Sequence, residues 1–323
     1  MDKEFKTYDE LLDILSTRGI DISTPALRSR AKTALQHEGY YNLVNGYKML
    51  FLQRNPDGSF IIPDTYKPGS TIDEMLQLYY FDAKLRSIVL QNILQIETNL
   101  KNLISHSFSK VHGHKNYLVY ENFDITQSGS AKNITSLIAE IQRQLSGRVT
   151  DPSIRHYLTK HGYVPLWVLN NILTLGTISK FYSLMKQPER QEVSKTFHLQ
   201  DNELSSILTY LSAVRNVCAH GNRLYCFRST KRPISNLELH TKLEIPLIDR
   251  NDGNEFAYGK RDLFAVILIF KILLPKNQFR NTVNRLKKTI SNLDKQLSIL
   301  SIQEVLDCMG FPEDWDKRLR MLY

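Results

Sequence analysis

Residues 201–220, DNELSSILTYLSAVRNVCAH, carry the clearest structural pattern in the chain. Apolar side chains recur there at intervals of three and four, which is typical of one buried face of an α-helix. Asp201 stands where an N-cap residue is expected, and Gly221 follows the run as a residue suited to a helix C-terminus. The pattern predicts an amphipathic helix from Asn202 to about His220.

A charged residue interrupts each of two apolar faces. On ideal helical geometry Arg215 projects about 20° from Leu204, close to the centre of the apolar face of the 201–220 helix. Glu97 lies inside the apolar face of a longer helix predicted over about 71–110. A charge withdrawn from water needs an opposite charge, a phosphate or a solvent cleft. Because the two charges differ in sign, we expect Glu97 to meet Arg215 across a helix pair, either as a structural ion pair or within a site.

Helical periodicity dominates the rest of the chain, in which glycine and proline are sparse at 14 and 11 residues. Other helices are predicted through Leu15 and over 24–36, 132–146, 152–161, 166–184, 188–197, 261–274, 278–298 and 301–308. Between 228 and 260, alternation predicts a short β-hairpin or an extended arm. The fold class is therefore mainly α, with three regions: an N-terminal helical region (1–70), a helical bundle (71–227) and a C-terminal arm with basic helices (228–323).

The charge of the chain favours an anionic partner. Lys and Arg number 42 against 33 for Asp and Glu, so the formal net charge of the 323 residues is +9. This surplus favours nucleic acid first and a membrane surface second. A hydrophobic fraction of 42% and a charged fraction of 23% exclude a disordered, collagen-like or coiled-coil chain.

Several other classes lack their sequence signals. The three cysteines form no C-x-x-C pair, which predicts a reducing, cytoplasmic location. The N-terminal sequence has no apolar core of a signal peptide, and no apolar run is long enough to span a bilayer. The phosphate-binding, dinucleotide-binding and serine-esterase glycine motifs are missing. Histidines and cysteines do not cluster at ligand spacing, so we expect no cofactor and no metal site.

A short motif and a set of ordered segments point to one family. Arg215-Asn216-Val217-Cys218-Ala219-His220 fits the R-N-x-x-x-H pattern of HEPN-domain ribonucleases. With the segments TYDELLDILSTRGI, EGYYNLVNGY, FDAKLRSIVLQNILQIETNLKNLISH, PLWVLNNILTLGTISKFYSLM and RNVCAHGNRLY, the chain resembles the Abi family, Abi-D/Abi-F-like abortive-infection proteins. The resemblance extends over most of residues 1–225.

The resemblance implies a fold, a biological role and a site. The fold is a HEPN-like helical bundle over 71–227, and the role is phage defence or a toxin–antitoxin system, with a possible antitoxin partner. Arg215, Asn216 and His220 correspond to the catalytic motif, and Glu97 to the acidic residue of the earlier helix. Some HEPN toxins carry a Tyr two residues after the His, where this chain has Asn222.

These residue types suit RNA cleavage without a metal. RNA carries its own nucleophile, the 2′-OH, and needs a base, an acid and a cation for the phosphorane charge. His220 can exchange the proton, Arg215 can bind the phosphate, Asn216 can orient either, and Glu97 can position Arg215. The expected products end in 2′,3′-cyclic phosphate and 5′-OH. Because one His cannot easily serve as both acid and base, we expect a homodimer.

Cations outside the motif are predicted to contact the RNA backbone. One group, Arg223, Arg228, Lys231 and Arg232, directly follows the motif helix, where Tyr225 could stack on a base. Arg285 and Lys288 lie on the helix predicted over 278–298, whose polar face could equally be a solvated surface. Lys101 and His106 resemble a degenerate second R-x(4)-H motif, but Lys cannot form the planar bidentate contact of Arg, so Lys101 is interpreted as scaffold or RNA contact.

Two alternatives to catalysis remain open at this stage. In the first, the chain is a non-catalytic RNA-binding module that uses the same basic surface. In the second, it is a structural dimer or a regulatory partner, and Arg215 and Glu97 form only a buried pair. His220 would then be an ordinary helix-end histidine that complements the helix dipole.

Overall fold

The computed structural model describes residues 4–230, 232–250 and 253–322, and the described chain is mainly helical with a small antiparallel sheet. Its elements are α1 (Tyr8–Thr17), α2 (Pro25–Glu38), α3 (Ile72–His112), α4 (Ser130–Ser146), α5 (Pro152–His161), α6 (Leu166–Leu169), α7 (Leu175–Leu184), α8 (Gln187–Lys195), α9 (Asp201–Ala219), α10 (Glu238–Lys242), β1 (Leu247–Arg250), β2 (Gly253–Phe256), α11 (Leu263–Leu273), α12 (Lys276–Asp294), α13 (Ile302–Met309) and α14 (Trp315–Arg320). The predicted fold class is confirmed.

The long helix α3 is the centre of the fold. Its 41 residues contain neither glycine nor proline, Thr71 Oγ1 accepts the amide of Glu74 at its start, and Gly113 ends it with a φ of 80°. It contacts α2, α6, α7, α8, α9 and α12. The hydrophobic core is a cluster of buried residues drawn from all three predicted regions. The division into 1–70, 71–227 and 228–323 stays a prediction.

Helix α9 follows the predicted pattern closely. The residues of its apolar face are buried: Leu204, Ile207, Leu208, Leu211, Val214 and Cys218. This face packs toward α3, α7 and α8. The cap differs from the prediction, because Asp201 is already the first helical residue and its carboxylate accepts Arg190 Nε at 3.0 Å. The amide of Gln200 instead donates to Glu203 Oε2 at 2.7 Å.

The structure departs from the predicted elements at two further places. The single helix predicted over 166–184 is two helices, α6 and α7, because Thr174 Oγ1 accepts the amide of Thr177 and starts a new helix. The predicted hairpin exists as β1 and β2, paired from Leu247 opposite Phe256. The stretch before it, predicted as extended, contains the short helix α10, and α14 was not predicted.

None of the described helices combines the length and apolarity that a bilayer crossing requires.

Candidate nucleic-acid site

The C-terminal end of α9 places the last residue of the motif. His220 is the C-cap, and Gly221 adopts a left-handed φ of 69°. The amide of Asn222 donates to the carbonyl of Val217 at 3.0 Å, and that of Gly221 to the carbonyl of Cys218 at 3.3 Å, which is a Schellman ending. The imidazole of His220 is exposed at this end.

The regular helix separates the two charged members of the motif. Because α9 is helical through Ala219, Arg215 and His220 diverge by about 140° around its axis. Arg215 is half-buried and His220 is exposed. One chain therefore does not aim both side chains at the same phosphate. His220 occupies the position that the helix-end alternative describes.

The predicted pairing of Glu97 with Arg215 is wrong. Glu97 Oε1 instead accepts Lys101 Nζ at 2.7 Å, and their side chains are only 9% and 13% exposed. The reason is local, because residues four apart on one helix are neighbours. Lys101 therefore has a partner on its own helix, and whether it also contacts RNA stays a prediction. Glu97 Oε2 and Arg215 Nε are both buried without a hydrogen-bond partner among the described residues.

A cleft of about 770 Å³ runs along the polar face of α9. We call it the polar cleft, and its polar lining includes Thr209, Ser212 and Asn216 from α9, Ser179, Lys180 and Ser183 from α7, and Arg228 and Arg232 from the segment after α9. Of the described residues that line it, none is acidic. A second cleft of about 530 Å³ shares Thr209 and Arg232 with it and includes Ser205. The polar cleft is suited to a polyanion.

The cations predicted to contact RNA have different surroundings. Arg232 is exposed and lines both clefts. Arg228 is also exposed, but its guanidinium donates to the carbonyls of Asp307 at 3.0 Å and Cys308 at 2.9 Å. Arg223 is exposed, and its Nη1 donates to the carbonyl of Gly46 at 2.7 Å. Lys231 lies outside the described residues.

The prediction that Tyr225 stacks on a base is wrong for this structure. Its side chain is 1% exposed, and its ring stacks on that of Tyr47, with 5.6 Å between centroids and 17° between planes. Burial raises the pKa of the Tyr225 hydroxyl far above its ordinary value. Tyr225 is a core residue because the chain after α9 turns inward.

A buried carboxylate that the sequence analysis overlooked causes that inward turn. Asp82 on α3 is 0% exposed and accepts the amides of Leu224 at 3.1 Å and Tyr225 at 2.7 Å. It also accepts Tyr47 Oη at 2.7 Å and Arg86 Nη1 at 2.6 Å. We call this group the Asp82 anchor. Burial raises the pKa of Asp82, and Arg86, Tyr47 and the two amides oppose that rise.

The Asp82 anchor had a signal in the sequence. Asp82 interrupts the apolar face formed by Leu78, Leu85 and Val89, just as Glu97 does further along the same helix. The anchor ties the segment that follows the motif to α3 and to the N-terminal region. It thereby holds the path of the chain after α9.

The predicted basic helix is α12. Its apolar residues Phe279, Val283, Leu286 and Ile290 are buried, and it packs against α3. Arg285 and Lys288 are exposed on the other side, where Arg285 Nη1 donates to Gln91 Oε1 at 2.6 Å. Whether these two cations contact RNA stays a prediction.

Among the described residues, no three or more His, Cys, Asp or Glu side chains are grouped to hold a metal ion.

Comparison with known proteins identifies one family. The family model described as Abi-like protein matches residues 33–226. The matched span contains Asp82, Glu97 and the whole of α9, and it ends one residue after Tyr225. Searches of curated proteins and of solved structures each returned no match.

Proposed function

The chain belongs to the Abi-like protein family, which suggests a role in abortive infection, and we propose that it serves phage defence or a toxin–antitoxin system as a metal-independent endoribonuclease of the HEPN type. The observation that carries the proposal is the polar cleft beside Asn216. The proposed substrate is RNA, and the proposed products carry 2′,3′-cyclic phosphate and 5′-OH ends.

The charge and the donors of the polar cleft support an RNA substrate. Lys180, Arg228 and Arg232 supply positive charge, and Ser212 and Asn216 supply hydrogen-bond donors, with no acidic lining residue described to oppose a phosphate. The phosphate backbone dominates the affinity of most nucleic-acid complexes. Asn216 is the motif residue that belongs to the polar cleft, so the bound backbone would run past the motif.

The proposed chemistry needs only groups from the motif and from RNA. A base takes the proton of the 2′-OH, the 2′-oxygen attacks the adjacent phosphorus, and the bond from phosphorus to the 5′-oxygen breaks. An acid returns a proton to the departing 5′-oxygen. His220 is exposed and free to exchange the proton. The half-buried guanidinium of Arg215 would bind a phosphoryl oxygen and stabilise the charge that develops on it.

The divergence of Arg215 and His220 supports a composite site in a homodimer. One chain contributes one His220, whereas the reaction needs both a base and an acid. Two copies joined at the ends of their α9 helices would supply two imidazoles and two guanidiniums. In that arrangement Arg215 of one copy would act on the same phosphate as His220 of the other.

A non-catalytic RNA-binding module is the second candidate. The position of His220 at a Schellman ending, away from Arg215, favours it. Such a module would use the polar cleft in the same way and leave the RNA intact. The regulatory-partner alternative is weaker, because Glu97 pairs with Lys101 and not with Arg215.

Cleavage assays in EDTA test the proposal. Wild type, His220→Ala and the control His106→Ala would each be incubated with total bacterial RNA, and the new ends mapped. His106 is an exposed histidine on α3 outside the motif. We expect His220→Ala to lower the cleavage rate by about 100-fold or more, since general acid–base catalysis contributes 10²–10⁴-fold. His106→Ala should cleave like wild type.

Three other results would contradict catalysis by the motif. Equal cleavage by wild type and His220→Ala would place the chemistry elsewhere. Products with 3′-OH ends, or a strict Mg²⁺ requirement, would exclude attack by the 2′-OH as written. Salt-sensitive RNA binding without cleavage, unchanged in His220→Ala, would favour the binding module.

A further inference from the structure

A second surface with the features of a nucleic-acid site lies just beyond the C-terminal end of α3. The loop after α3 and the loop before α6 are joined by two hydrogen bonds. The amide of Leu166 donates to the carbonyl of His114 at 2.9 Å, and Tyr117 Oη donates to the carbonyl of Val164 at 2.8 Å. These bonds hold the two loops, and the rings they carry, side by side.

A row of rings crosses this surface from α5 to α6. We call it the ring platform; its members are Tyr157, His161, Tyr163, His114 and Trp167. Consecutive ring centroids in that order are 5.3, 6.3, 5.3 and 5.2 Å apart. His114 Nε2 and Tyr163 Oη also share a hydrogen bond of 2.9 Å. The row is therefore continuous and fixed by its own contacts.

The ring platform is open to solvent, unlike an ordinary aromatic cluster of the core. Trp167 is 50% exposed, although tryptophan is usually among the more buried residue types. His161 is exposed, and the other three rings are half-buried. Its rings therefore present edges and faces that a ligand can reach.

The surroundings of the ring platform are cationic. Arg155 and Lys160 are exposed on α5, and Lys115 Nζ lies 5.5 Å from the centre of the Tyr163 ring. Residues 152–167 contain no acidic side chain. Asp151, which precedes them, is engaged in accepting the first amides of α5.

We propose that the ring platform binds unpaired bases of single-stranded RNA. Aromatic faces beside a cationic groove are the combination by which proteins hold single strands without reading their sequence. Bases stack on Trp167 and its neighbours, while Arg155, Lys160 and Lys115 attract the phosphates. A protein partner would also use exposed aromatic residues, but the absence of acids in 152–167 fits a polyanion better.

The ring platform shares no residue with the motif or with the described lining of the polar cleft. It is therefore a set of residues separate from the proposed catalytic site. The proposal concerns binding alone, and it holds whether or not the chain cleaves RNA.

Tryptophan fluorescence reports this site almost in isolation. The chain has two tryptophans, Trp167 and Trp315, and Trp315 is 6% exposed in the core. The full chain carrying His220→Ala would be titrated with single-stranded oligoadenylate, and in parallel with the duplex formed with oligouridylate. We expect the single strand to quench the emission, because a base stacked on the Trp167 indole quenches it. The duplex, whose bases are not free to stack, should quench far less.

Substitutions then separate stacking from other contacts. Trp167→Ala should weaken oligoadenylate binding by about 5- to 150-fold, the effect of losing one base–aromatic stack. Trp167→Phe should keep the affinity within a few fold while abolishing the fluorescence change. Phe5→Ala, which removes a ring that is 89% exposed elsewhere, should bind like the parent.

Two outcomes would overturn the proposal. Oligoadenylate that binds without changing the emission, with equal affinity for Trp167→Ala and its parent, would show that RNA binds elsewhere. Trp167→Ala that keeps RNA binding but loses a co-purifying protein would assign the ring platform to a protein partner. Because the titration is made in the His220→Ala background, a failure of the proposed cleavage chemistry would not change its result.

Discussion

The Asp82 anchor and the neighbouring motif differ in whether their polar groups have partners inside the chain. Asp82 is fully buried, and four donors from three separate parts of the chain converge on its two oxygens. Arg215 is half-buried, its Nε has no hydrogen-bond partner among the described residues, and Asn216 and His220 are exposed. A buried polar group that finds its partners inside the chain stabilises the fold. The exposed Asn216 and His220 are accessible to a ligand or to a second copy.

Neighbouring parts of the helix pair α3 and α9 therefore have different roles. The Asp82 anchor holds the chain where it leaves α9, so it determines where His220 stands. We expect the polar motif residues Arg215, Asn216 and His220 to contribute little to stability. Substitutions in the Asp82 anchor should therefore lower the free energy of unfolding. Substitutions of the polar motif residues should instead affect the cleavage or binding of RNA.

Removing the anchoring carboxylate should have the largest effect. Asp82→Ala leaves Arg86, the Tyr47 hydroxyl and two amides without their acceptor, and we expect the free energy of unfolding to fall by about 3–5 kcal/mol. Denaturation in urea measures it. The control Asp73→Ala removes an exposed carboxylate of the same helix that pairs with Arg30 at 2.8 Å, and should cost about 1 kcal/mol or less. Equal losses of unfolding free energy in Asp82→Ala and Asp73→Ala would show that the Asp82 anchor stabilises the fold no more than an exposed ion pair does.

Replacing Arg215 should matter much less to stability. Because its Nε has no partner in the described part of the chain and Met has a similar length, Arg215→Met should change the free energy of unfolding by about 1 kcal/mol or less. Arg190→Met is the matched control, since Arg190 is also half-buried but pairs with Asp201 at 3.0 Å, and it should cost about 3 kcal/mol or more. A large loss in Arg215→Met would mean that the fold, and not a ligand, uses this guanidinium.

The smallest effect should come from an exposed cation of the polar cleft. Arg232→Ala should weaken RNA binding by a few fold and reduce the slope of log affinity against log salt by about 1, since one phosphate contact is lost. Its thermal unfolding should match that of wild type. Arg30→Ala, which removes an exposed cation on α2, should leave the salt slope unchanged. An unchanged slope in Arg232→Ala would place the RNA backbone outside the polar cleft.

The sequence by itself determined most of the helices and, for α3 and α9, the face that each of them buries. The apolar spacing of 201–220 and the break-free run of 72–112 predicted α9 and α3 within one or two residues at each end. These features are local, because capping and periodicity act over a few turns of one segment. The motif residues could likewise be named from their order in the chain.

The tertiary structure decided which polar groups meet. Glu97 was expected to reach Arg215 on another helix, but Lys101, one turn away, is its partner. Tyr225 was expected on the surface, and Asp82, 143 residues earlier in the chain, draws its amide into the core. The ring platform arises only because two loops, joined from Tyr117 to Val164, bring separate rings together. Periodicity shows which face of a helix is buried, but it carries no information on which segment will lie against that face.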